Sequence, residues 1–161
     1  VSTHPPEPDE PAAHQERMIR EFFTAVILHG HVTANAIGMH PTDLFALNLV
    51  ELHGPLGAGE LADRTGLSTG ATTRLIDRLE RSGQVRRVAD PADRRRVRIE
   101  KVGGHELDAA LHAAFEPVGQ RMEEVIGRYP ADRLEELMRF VAETTAAVQD
   151  ATREVRTVTG E

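Results

Sequence analysis

Apolar residues recur along the chain with helical period in some stretches and strand period in others. Ile19, Phe22, Phe23, Val26 and Ile27 follow the i, i+3, i+4, i+7, i+8 rule for one apolar helix face, so a helix begins near Ala12 and reaches the mid-thirties. A second begins at His40 or Thr42, with Pro41 in or just before its first turn. Its expected core residues are Leu44, Leu47, Leu49 and Leu52, and Gly54-Pro55 ends it. A short helix at 58–65 carries Leu61 and Ala62 and is closed by Gly66. Ser68 is a good N-cap for the next helix, since its hydroxyl takes up an orphan amide. That helix runs to Ser82 and stops at Gly83, where the missing Cβ permits a left-handed backbone.

The period then changes. Residues 85–89 (VRRVA) and 97–102 (VRIEKV) are β-branched and alternating, and read as two antiparallel strands joined by the turn-forming, charged loop DPADRRR. Helical spacing returns with Leu107, Leu111, Phe115, Val118, Met122 and Val125, where Pro117 predicts a kink or break. Tyr129-Pro130 interrupts, and Leu134, Leu137, Met138, Val141 and Val148 mark a final helix. Residues 1–11, with four prolines and three acids, read as a disordered tail. The result is a mainly α fold with one small β-hairpin.

A length of 161 residues suits one domain and barely two. With aromatics at only 4%, the core must be built from Leu, Val, Ile and Ala. The chain has no cysteine, which excludes disulfides, thiolate metal sites and thiol redox switches. No apolar run reaches membrane-spanning length and no signal-peptide pattern is seen, so a cytoplasmic location and no membrane partner are expected. The net charge of −7 speaks at first against nucleic acid. Its distribution reverses that. Residues 64–101 hold eleven basic and five acidic side chains, a net of +6 inside an otherwise acidic chain. A basic island of this kind is the footprint of a polyanion-binding face.

A short helix, a tight glycine turn, a second helix and a β-hairpin compose a winged helix-turn-helix. In the second of these helices Ala71, Leu75, Ile76 and Leu79 are expected to pack inward. Thr69, Gly70, Thr73, Arg74, Asp77, Arg78 and Arg81 are left facing out. Small polar residues from Ser68 to Gly70 let the backbone approach a groove floor, and a helix N-terminus favours a nearby phosphate. Arg74 and Arg78 are placed to reach guanine edges or phosphates. Arg94, Arg95 and Arg96 crowd the hairpin loop, where an arginine tip suits the narrow, negative minor groove. Asp90 or Asp93 is expected to clamp one of them and hold the loop in shape. Arg64, Arg81, Arg86 and Arg87 read either as phosphate contacts or as structural ion pairs, and Asp77 as a residue that orients an arginine.

The segments GELADRTGLSTGATTRLIDRLERSGQVRR (59–87) and DPADRRRVRI (90–99) resemble the MarR (multiple antibiotic resistance regulator) family of bacterial transcription factors. The likeness is specific over roughly 40 residues and extends loosely over about 12–155. One departure is the stretch Ile99 to Gly104, which lacks the threonine that often follows the wing, so the junction with the next helix is expected to be looser or shifted. The resemblance implies a homodimer that reads a palindromic operator on double-stranded DNA, with residues 12–40 and 104–157 as the helical dimerisation region and 41–103 as the DNA-binding lobe. It also implies repression relieved by a small, often aromatic or phenolic, acid bound between the two regions. Phe22, His29 and Phe45 are the expected lining of that effector pocket. The apolar stripes at 19–27, 107–125 and 134–148 independently exceed what one small lobe can cover.

The alternatives are a zinc-responsive regulator of the same fold and a winged-helix module for protein docking. His105, Asp108 and His112 lie at i, i+3, i+7 and could ligate zinc, yet scattered surface histidines explain them as well. No glycine-rich phosphate loop, Gly-x-Ser-x-Gly elbow or His-Glu-x-x-His motif is found, so neither an enzyme nor a cofactor is expected.

Overall fold

A computed structural model describes residues 10–103 and 106–159. Six helices and three strands follow in the order α1 (Glu10–Ala36), α2 (Pro41–His53), β1 (Leu56–Gly57), α3 (Ala58–Thr65), α4 (Thr69–Arg81), β2 (Val85–Ala89), β3 (Val97–Lys101), α5 (Glu106–Ile126) and α6 (Ala131–Thr159). The expected tail lies outside the described residues except for Glu10 and Pro11, which open α1. A proline at the start of a helix costs nothing, because its missing N–H would have had no partner there.

The boundaries inside the lobe follow local chemistry. His40 caps α2 by accepting a hydrogen bond from the Thr42 amide at Nδ1, 3.2 Å away. Gly66 ends α3 in the left-handed region (φ 70°, ψ 17°). Ser68 Oγ accepts from the Ala71 amide and starts α4. Gly83, at φ 74°, turns the chain so that the Gln84 amide reaches back to the Leu79 carbonyl at 2.9 Å.

The strands form one antiparallel sheet in the order β1-β3-β2. The two-residue strand β1 was not expected: it is too short to show a period, and it exists because Leu56 pairs with Ile99 across the sheet. Both residues are fully buried, in a core with Leu47, Leu61, Leu75, Ile76, Leu79 and Val85. Two expectations about that core need correction. Ala71 is only half-buried, and Thr72 takes the inward position at 1% exposure, its hydroxyl donating to the Ser68 carbonyl at 3.0 Å. Leu52 is 67% exposed, because Ala46, Leu47 and Val50 supply the inward face of α2, while Leu52 looks with Phe45 into a groove against α6.

Pro117 lies inside α5, which runs on through it as one helix. The lower end of α1 docks through the buried Thr33 and Ala34. Elsewhere the apolar stripes remain open: Phe22, Val26 and Ile27 on α1, Met122 and Val125 on α5, Met138, Phe140 and Val141 on α6. Among the described residues no single helix is long and apolar enough to cross a membrane.

Candidate nucleic-acid interface

The first turn of α4 is an open platform. Ser68, Thr69, Gly70, Thr73 and Arg74 are all exposed, while Thr72, Leu75, Ile76 and Leu79 anchor the opposite face in the core. Thr73 Oγ1 donates to the Thr69 carbonyl at 2.9 Å, which keeps its lone pairs outward. Arg74 has no ion-pair partner among the described residues. The N-terminal turn thus combines outward amides, short side chains and one open guanidinium.

Arg78, expected to face DNA, is 45% exposed and is held by a carboxylate of α2. Its Nε donates to Asp43 Oδ2 at 3.0 Å and its Nη2 to Oδ1 at 2.6 Å, a two-point fork that ties α4 to the first turn of α2. Asp43 is 7% exposed. The hydrogen bond to Asp43 outweighs burial and holds the Arg78 guanidinium above its ordinary range, so its charge is secure.

Arg87 makes the second internal tie. Register places Arg87 opposite Ile99, on the sheet face that looks toward α4. There Asp77 Oδ1 accepts from Nη2 at 2.6 Å, and Glu80 takes the other nitrogen. Asp77 therefore orients an arginine of the hairpin. The remaining ambiguous arginines also have internal partners: Arg64 with Glu60, Arg81 with the Asp77 carbonyl, and Arg86 with its cross-strand neighbour Glu100.

The loop between β2 and β3 is shaped by its two aspartates. Asp90 Oδ1 accepts from the Ala92 amide at 2.8 Å and Asp93 Oδ1 from the Arg95 amide at 3.1 Å. Each side chain thus closes its own turn. Asp90 also stands 3.3 Å from the Nε of Arg98, and Asp93 lies 3.5 Å from Arg95 and 3.7 Å from Arg96. None of these is a two-point clamp. Arg95 and Arg96 remain 94% and 78% exposed, and Arg94 is exposed without an ion-pair partner among the described residues. Arg74 on the helix and Arg94 on the loop are thus exposed with no ion-pair partner among the described residues, and Arg95 and Arg96 stay largely open beside Asp93; Arg81 and Arg86 are exposed as well, the first bonded to a backbone carbonyl and the second to Glu100.

The expected effector residues do not converge. Phe22 is exposed on α1 beside Phe23. Phe45 faces the groove between α2, α3 and α6. His29 touches Phe115 edge-on, with ring centroids 5.7 Å apart. Phe115 in turn lines a cavity of about 380 Å³ between α2, the end of β3 and α5, whose apolar wall is completed by Leu44, Leu47 and Leu111. Its polar rim holds Lys101, 3.0 Å from Glu51 and 3.4 Å from Asp108. Burial alone would lower the Lys101 ammonium, but the two carboxylates overcome it and raise it above the ordinary lysine range. This three-element contact was not foreseen from sequence, although Lys101 is the only lysine in the chain.

Of the three candidate zinc ligands, His105 lies outside the described residues. Asp108 is engaged with Lys101, and His112 is exposed on the cavity rim. Among the described residues no three His, Asp or Glu side chains are grouped to hold a metal ion.

Two helices across a left-handed glycine turn, packed on a small sheet with a basic loop, define a winged helix-turn-helix DNA-binding protein. The model of the MarR family matches residues 39–97. The chain is 34% identical over 134 residues to the uncharacterized HTH-type transcriptional regulator YcgE of Bacillus subtilis, covering 83% of this chain and 86% of that one. It is also 29% identical to the HTH-type transcriptional repressor MdtR of Bacillus subtilis, covering 71% of this chain and 70% of the relative. Among solved structures, a MarR family protein from Bacillus stearothermophilus superposes with a TM-score of 0.66 at 22% identity, over 89% of this chain and 99% of that one. Wild-type MarR from E. coli in its apo form gives a TM-score of 0.55 at 22% identity, over 80% and 95% of the two chains. The chain belongs to the MarR family and is a DNA-binding transcriptional regulator, not an enzyme.

Proposed function

We propose that the protein is a homodimeric repressor that binds a palindromic operator and is released by a small-molecule effector. The observation that carries the DNA side is the sorting of its arginines. Arg78 and Arg87 are each held at two points by carboxylates and brace the lobe, whereas Arg74 and Arg94 have no ion-pair partner among the described residues and Arg95 and Arg96 are 94% and 78% exposed. In this reading the Ser68–Thr73 turn and Arg74 enter the major groove, and the loop arginines lie along the adjacent minor groove.

The dimer reading rests on uncovered apolar area. The chain exposes 12281 Å², whereas a compact monomer of 17.7 kDa is expected to expose roughly 8,000 Å². Much of the apolar excess lies on α1, α5 and α6, the elements assigned to dimerisation, and α6 packs little against the rest of its own chain. The effector reading rests on the cavity between α2, β3 and α5, which joins the lobe to a dimerisation helix, so its occupant can bias the spacing of the two lobes. The engagement of Asp108 with Lys101 speaks against the zinc-responsive alternative, which needs that carboxylate.

The test is selection of operator fragments by the full chain, followed by binding and in-vitro transcription with the wild type and Arg74→Ala. Loss of operator binding with relief of repression is the expected result. Unchanged operator affinity in Arg74→Ala, or stimulation of transcription by the wild type, overturns the reading.

A further inference from the structure

We propose that Gly70 is a positioning residue for base recognition: having no side chain, it lets the Arg74 guanidinium lie back over the first turn of α4, aimed at a guanine edge. The inference rests on the reading above in which that turn enters the major groove, and it names the residue that sets what Arg74 can recognise.

Nothing in the fold itself asks for a glycine at this position. Gly66 and Gly83 stand at φ 70° and 74°, in the left-handed region where a side chain is strained. Gly70 lies inside α4 without a positive φ, where alanine is the better helix former. Beyond its own helix backbone and chain neighbours, one described atom comes within 4 Å of the place a Cβ on Gly70 would take. That atom is Nη1 of Arg74, at 3.8 Å. A residue that weakens its helix without serving the packing marks a functional constraint.

The same contact says where the guanidinium is. Residues i and i+4 share a helix face and side chains lean toward the N-terminus, so Arg74 folds back along α4 instead of reaching straight out. Beside it the first amides of the helix are open. Ser68 takes up the Ala71 amide through Oγ and the Thr72 amide through its carbonyl, which leaves those of Thr69 and Gly70 without an acceptor among the described residues. Guanidinium and amides are all donors. Such a row matches N7 and O6 of guanine and opposes the N6 amino group of adenine. A longer side chain at position 70 would fill the space over the turn and push the guanidinium away from that row.

The test is a double-mutant cycle on duplexes selected by the wild-type full chain from a random library. Gly70→Leu places an apolar, helix-favouring side chain where the guanidinium lies. It is expected to weaken binding about tenfold and, on reselection, to lose the guanine preference at the same base pair as Arg74→Ala. In the Arg74→Ala background, the further loss on adding Gly70→Leu should stay below about twofold. Gly70→Ala is the control for the fold, and its midpoint of thermal unfolding should stand at or above that of the wild type.

Equal losses from Gly70→Leu with and without Arg74 would reduce the glycine to backbone clearance and overturn the proposal. So would a guanine preference that survives Gly70→Leu, an Arg74-dependent base pair other than G·C, or a Gly70→Ala protein that melts below the wild type. The reading beneath fails separately. If Arg74→Ala binds the selected duplexes as the wild type does, both fall, whereas a loss in Arg74→Ala with none in Gly70→Leu overturns the assignment of Gly70 alone.

Discussion

Arg78 and Asp43 meet through two parallel hydrogen bonds, 3.0 and 2.6 Å long, and so join α4 to the start of α2. The pair lies between two helices whose relative placement decides how far the N-terminal turn of α4 projects. Arg78 is thereby a brace for the platform that carries Arg74.

Breaking this pair is expected to reduce stability. Arg78→Ala leaves the nearly buried Asp43 carboxylate without its partner, and a loss of about 2 kcal/mol is expected in denaturant unfolding. The 45% exposure of Arg78 keeps the figure below that of a fully buried pair. A double-mutant cycle with Asp43→Asn should give a coupling of about 1 kcal/mol; additive effects would show that the fork is incidental.

Arg74 and the loop arginines should fail in different ways on DNA. Arg74→Ala is expected to weaken operator binding roughly tenfold to a hundredfold and to relax base preference at one position of each half-site. Arg94→Ala with Arg95→Ala is expected to weaken operator and unrelated duplexes alike. It should also reduce the salt slope by about 0.9 for each phosphate that is no longer neutralised. Fluorescence anisotropy across a salt series checks both, and an unchanged slope in the loop variant removes the wing from the mechanism.

The apolar stripes make a prediction about assembly. Ile27 is 62% exposed and Phe140 58%, so an aspartate at either position disturbs no core within the chain. Ile27→Asp and Phe140→Asp should convert a species of twice 17.7 kDa into one of 17.7 kDa in sedimentation equilibrium. An unchanged mass for both variants would place the dimer interface elsewhere.

Lys101 sets an alkaline limit on stability. Its folded-state value is raised above the ordinary 10.5, so the protonated form is favoured by folding. The stabilisation is fully present below that ordinary value and is lost as pH rises through the folded one. Thermal unfolding of the wild type and Lys101→Met should therefore differ by a constant amount from about pH 7 to pH 9.5 and converge above about pH 10.5. A difference that shrinks already at pH 8 contradicts the ion-pair assignment.

Much of the lobe was legible because its signals are local. The cap at Ser68, the glycines at 66 and 83 and the alternation of 85–89 each act within a few residues, and the elements begin and end where those signals fall. The same holds for the Asp90 and Asp93 turns, where a side chain closes its own backbone.

What the sequence by itself determined is the order of the six helices and the hairpin, the exposed start of α4 and the arginine-rich loop. These follow from periodicity, capping and turn chemistry. Only the tertiary structure decided which arginines are held by a carboxylate. Arg74 and Arg78 look alike in sequence, and they part because Asp43, 35 residues before Arg78, comes to rest beside one and not the other. The same long-range packing sank Thr72, exposed Leu52, paired Leu56 with Ile99 and set the chain's single lysine between Glu51 and Asp108. Helical spacing specifies a face, but the partner of that face is chosen only when distant segments meet.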